Sequence, residues 1–180
     1  MNRGSDFLKA QVNNAVMQHG AFVKILEHHK DQAEDTRFRD LCTRYLPMMH
    51  DHQQMLERYQ DELDAGGGTL KKMVGTTLET IRELADKTRE SDFLRLVGDI
   101  VMSRQSEDTF KTFREAGRQL GLTRLAQIGE EGERGHDDYN RDANRLVQQL
   151  FVEHARENDG MANISRQASF NSEREIGQRH

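Results

Sequence analysis

The sequence predicts an all-α fold: an antiparallel bundle of four long helices, with a short crossover helix between two helical hairpins. Three observations carry this. Apolar residues recur at alternating steps of three and four along four long stretches, the period of a helix that buries one face. Only 34% of the 180 residues are hydrophobic against 32% charged, which suits long amphipathic helices with wide wet faces better than a thick sheet core. A single proline and few β-branched runs leave strands without their usual punctuation and composition, so none is expected.

Taken in order, the first helix is capped by Ser5 and runs to about residue 30, with an inward seam of Leu8, Val12, Ala15, His19, Phe22, Leu26 and His29. Asp35 or Thr36 caps a second helix to about residue 64, whose seam reads Phe38, Leu41, Tyr45, Met48, His52, Met55, Tyr59 and Leu63. The short loop between them makes an antiparallel hairpin. Pro47 lies inside the second helix and should bend it, because its ring clashes with the Thr43 carbonyl. Gly66, Gly67 and Gly68 end the hairpin, and Thr69 caps a shorter helix carrying Leu70, Met73, Thr77, Ile81 and Leu84, read as the crossover.

Ser91 caps the third long helix, through Phe93, Val97, Ile100, Phe110 and Phe113, and Gly121 suits the left-handed turn that stops it. Thr123 opens the last, whose inner side runs Leu125, Ile128, Gly132, His136, Tyr139, Ala143, Leu146 and Leu150. The bundle therefore spans residues 1–156. Residues 157–180 are rich in Asn, Ser, Arg and Glu and bury too little to offset ordering, so a disordered tail is expected, with a partner-docking peptide as the alternative.

Several function classes find no support. The net charge is −5 with Lys and Arg interspersed among acids, so no basic footprint for nucleic acid appears. No apolar stretch approaches the roughly 18 residues of a membrane span, and the first residues lack a signal-peptide core; a cytoplasmic protein without a membrane partner is expected. Cys42 is alone, which excludes an internal disulfide and reads as a small buried hydrophobe. No Ser-His-Asp set, paired acids, phosphate-cradling loop or Cys-His cluster stands out, so catalysis is not the expected role.

Several spaced residues stand out: Met73-x-Gly75 with Glu79, Asp92, His52 followed by Leu56-Glu57, and the run from Phe110 to Gly121. Together with the order of elements they resemble the YciF-like, stress-associated branch of the ferritin-like superfamily, over about residues 6–155. The resemblance implies a ferritin-like bundle, a homodimer, and a di-iron site of carboxylates and histidines from all four long helices. This chain departs from that ligand set. His19 stands at the first-helix glutamate position, Met48 or Met49 replaces the glutamate before His52, and the third-helix E-H-Y-E reads Ser103-Arg104-Gln105-Ser106. On the fourth helix an ungapped register matches His136 and Asn140 to the acid pair, whereas a three-residue shift matches Glu133 and Asp137. Without bridging carboxylates, two iron ions lack neutralising charge, and di-iron oxidase chemistry is expected to be lost. What then remains is a bundle acting by structure, assembly or ligand binding.

The alternative is a metal-binding protein. His19, His52 and His136 all fall on inward seams, at positions that the resemblance puts at one bundle level, and three neutral imidazoles with an open fourth position suit a transition metal such as zinc or iron. Glu133, one turn before His136, is a further candidate ligand, although chance supplies a Glu-x-x-His spacing about once in such a chain. Against this, each histidine can be a satisfied core residue bonded to Ser103, Gln105, Ser106 or Tyr139. Of His28, His29 and His50, two point away from the seam, and the group is expected to be solvated. Gly129, Gly132 and Gly135 recur on the last helix and point to close helix contact against Phe110, Phe113 or the Met48-Met49 pair, with room for a ligand as the alternative.

Overall fold

The computed structural model describes residues 3–65 and 91–157. The expected crossover helix and the polar tail lie outside them. The described residues form four helices: α1 (Arg3–Gln32), α2 (Thr36–Ala65), α3 (Asp92–Leu120) and α4 (Thr123–Glu157), with no strand among them.

Local chemistry sets the helix ends close to where the sequence places them. Asp35 caps α2, its Oδ1 accepting from the amides of Arg37 (2.8 Å) and Phe38 (3.2 Å). Ser91 caps α3 by accepting from the Leu94 amide, and Gly121 ends it at φ 69°, where the Leu122 amide donates back to the Gly117 carbonyl at 2.8 Å. α2 continues through Pro47, whose side chain lies on the solvent face, where the missing amide leaves nothing buried unpaired.

α1 packs on α2 and on α3, and α4 packs on α3 and on α2. The partners run antiparallel in each pair: His29 meets Asp99 across α1 and α3, while Arg37 meets Glu153 and Arg44 meets Asp142 across α2 and α4. The order is therefore up, down, down, up, so the two ends that residues 66–90 connect lie at opposite ends of the bundle.

The α1 and α4 seams match the predicted ones closely, except near the start of α1, whereas α2 and α3 differ. On α2 the buried side chains include Cys42, Leu46, Met49 and Leu56, while Met48, Met55 and Leu63 are half-buried. A bundle helix that touches two neighbours buries a band wider than a single seam. On α3 the inward line is Leu96, Asp99, Ser103, Ser106, Phe110, Phe113 and Gly117, and Val97 is exposed. The polar members of that line hid it from a hydrophobic pattern. The result is two apolar clusters: Phe22, Leu26, Phe38, Met49, Leu96 and Leu146 belong to one, Val12, Leu56, Phe110, Leu125 and Ile128 to the other. A polar waist of His19, His52, Ser103, Ser106, His136 and Asn140 lies at mid-bundle.

Candidate metal centre

Each helix contributes to the waist at one level. α1 supplies His19, α2 His52, α3 Ser103 and Ser106, and α4 His136, all buried. The three rings have centroids 5.2 to 6.1 Å apart, and one nitrogen from each lies within 4.8 Å of those from the other two. Phe110 lies 5.5 to 5.7 Å from all three rings, and Phe22 lies 5.5 Å from His136 and 6.3 Å from His19, so the triad is walled by aromatic carbon.

Hydrogen bonds orient two of the rings. Gln53 Nε2 donates to the Val16 carbonyl (3.2 Å) and to Glu57 (2.8 Å), which turns Oε1 toward His19 Nδ1 at 3.0 Å. An amide oxygen only accepts, so Nδ1 of His19 carries the proton and Nε2 keeps its lone pair. His136 Nδ1 lies 2.8 Å from Ser103 Oγ, and donation to that hydroxyl likewise frees its Nε2. His19 Nε2, His52 Nδ1 and His136 Nε2 are buried and make no hydrogen bond.

Burial holds the rings neutral. Desolvation lowers the His19 pKa to about 4; the Gln53 bond opposes this, and His52 and His50 add to it. His52 falls to about 4, again through desolvation, which outweighs the attraction of Asp51. His136 is pushed well below the usual range by burial, then by the other two rings. Three neutral imidazoles with unused nitrogens are a transition-metal donor set. Ligand atoms each about 2.1 Å from a tetrahedral zinc lie roughly 3.4 Å apart, so separations reaching 4.8 Å require the rings to draw in by about 1 Å.

Glu133 does not join them. Its carboxylate pairs with Arg114 across the α3–α4 contact and lies outside the triad, which corrects its candidacy as a ligand. The ungapped register is the inward one: His136 and Asn140 are buried, whereas Asp137 is exposed beside Arg141. Among the described residues no carboxylate belongs to the triad, so the donor set does not fit a carboxylate-bridged pair of irons.

Gln53 and Asp99 were not anticipated. Gln53 was hidden by its position next to His52, although its i, i+4 spacing to Glu57 is a polar signal on its own helix. His29, which lies on the predicted α1 seam although it was grouped with the solvated histidines, is buried against Asp99 at 2.9 Å, with both side chains at most 2% exposed. Asp99, Ser103, Ser106 and Phe110 follow the 4-3-4 steps of a seam, the signal that would have found Asp99. His28 and His50 are exposed as expected, His50 beside Glu27 at 3.1 Å. Cys42 is buried and its thiol is pushed far up by desolvation, so it holds no reactive thiolate at neutral pH.

The described residues include no helix long and apolar enough to cross a membrane. Comparison with protein-family models, curated proteins and solved structures finds no significant match to this chain.

Proposed function

We propose that this protein is a ferritin-like bundle that has exchanged di-iron oxidase chemistry for a single transition-metal site formed by His19, His52 and His136. One observation carries the reading: three buried imidazole nitrogens, one per ring, have no hydrogen-bond partner. Unused polar atoms in an interior cost about 1–3 kcal/mol each, and a shared metal ion removes that cost at all three together. Zinc or iron(II) suits the donor set, with one coordination position left for another ligand. The up, down, down, up helix order supports the ferritin-like reading, because that family joins its hairpins by one crossover. A cytoplasmic homodimer belongs to the same proposal through the resemblance.

The competing reading is a metal-free bundle that acts through structure or assembly. It is favoured by the present ring spacing and by Phe22 and Phe110, which pack the waist as they would an ordinary core. Elemental analysis of untagged protein after exposure to zinc or anaerobic iron(II) separates the two. One metal per chain, lost in the His52→Ala variant, supports the metal centre. Metal-free protein under both conditions rejects it.

A further inference from the structure

Three neutral imidazoles leave the double charge of a bound metal ion uncompensated, and no carboxylate of the described residues belongs to the triad. Isolated charge in a low-dielectric interior is costly, so the open coordination position calls for an anion. The surroundings suggest which kind.

A groove of about 700 Å³ runs along the first half of α1, the end of α3 and the start of α4, within the size range of small-molecule sites. Phe7, Leu8, Phe113, Leu120, Leu122 and Leu125 give it an apolar lining. Its inner wall includes Ala15, Gln18 and Thr109, and the same three residues bound a narrow recess that reaches His19, Ser106 and Phe110. Two polar atoms wait on this path: Ser106 Oγ, in a residue 3% exposed, and Gln18 Nε2 are both buried without a hydrogen-bond partner. Both can donate.

Resting on the metal-centre reading, we infer that the site binds an aliphatic carboxylic acid through the α1–α3 gap. The carboxylate takes the open metal position and accepts from Ser106 and Gln18, while the hydrocarbon tail lies in the apolar groove. The recess is too tight for a water molecule as it stands, so Gln18 or Thr109 must change rotamer to admit the head group.

Cobalt(II) is the probe, because its visible bands report both occupancy and a change of ligand. Cobalt-loaded protein is titrated with acetate, butyrate, hexanoate, octanoate and 1-octanol. The carboxylates shift the bands, and affinity rises about fourfold per added methylene until the groove is filled, so hexanoate binds roughly 16-fold tighter than butyrate. Octanol leaves the bands unchanged. Thr109→Trp, which blocks the neck from a half-buried position, keeps the cobalt bands and loses the octanoate response. Bands that no carboxylate shifts, an affinity independent of chain length, or an unaltered response in Thr109→Trp each overturn the inference while leaving the metal centre intact. Failure to develop cobalt bands at all overturns the metal centre first.

Discussion

His19 is held between two opposed effects, desolvation that disfavours its charged form and a hydrogen bond to Gln53 that favours it, and desolvation wins. Unfolded, the ring titrates near 6.5; folded, near 4. The unfolded chain therefore binds more protons in that window, and stability rises with pH through it. The full contribution is present above pH 6.5 and is lost as pH falls towards 4. His52 shifts equally, and for these two rings a depression of that size is worth roughly 3 kcal/mol each; His136 is lowered in the same direction by its burial. Metal-free protein should show a urea midpoint that declines below pH 6.5 with uptake of more than one proton, and His136→Gln should flatten the decline. A midpoint level from pH 7 to 4.5 would contradict the neutral buried triad. His29 and Asp99 form the second buried polar unit, and here the cost falls on whichever partner is stranded. His29→Leu or Asp99→Leu alone should lose about 3–5 kcal/mol, while the double variant should lose much less than the sum. Additive losses in denaturant titrations would mean that the pair is not coupled.

At the scale of the helices, the glycines of α4 decide how close two backbones come. A methyl group at Gly129 would strike the Arg114 amide nitrogen and the Phe110 carbonyl of α3, and one at Gly132 would strike the Phe110 ring. Gly117 of α3 faces the backbone of Ala126 in the same way, so the α3–α4 hairpin is pressed together from both sides. Close helix contact is thus the reason for the stripe. Gly129→Ala gains about 1 kcal/mol in helix propensity but meets backbone that cannot rotate away, and a net loss of roughly 2 kcal/mol or more is expected in thermal unfolding. An unchanged or raised midpoint would show that the helices can separate freely. Gly135 differs, because a methyl there meets the His52 ring and Met48 Sδ (2.9 Å), so Gly135→Ala should displace a triad ring more than it splays the helices. The four long helices, the caps at Ser91 and Asp35 and the stop at Gly121 were legible because capping chemistry and 3.6-residue periodicity act locally. The inner face of α3 was not, since Asp99, Ser103 and Ser106 carry no hydrophobic signal and become inward only when the other helices bury them.

For the whole molecule, the polar waist between two apolar clusters is the feature that joins stability to function. The triad was legible because histidines on three separate seams stand out against apolar neighbours. The ligand role of Glu133 misled because one helix's spacing cannot reveal Arg114 on another. Gln53 and the groove beside α1 were invisible for a related reason, as both depend on how α1 meets α2 and α3 in space. If the waist holds a metal only in the folded state, binding and folding are linked. At free zinc 100 times the dissociation constant, the folded state gains about 2.7 kcal/mol. For a chain of this size each kcal/mol moves the melting temperature by about 2–4 °C, giving a rise of about 5–10 °C. His19→Ala and His136→Ala should abolish the rise, while Glu133→Gln should preserve it after a small loss of baseline stability from the broken Arg114 pair. An equal rise in all three variants would place the zinc on surface histidines such as His28 and His50. Loss of the rise in Glu133→Gln alone would return that carboxylate to the coordination sphere and bring its helix register into question.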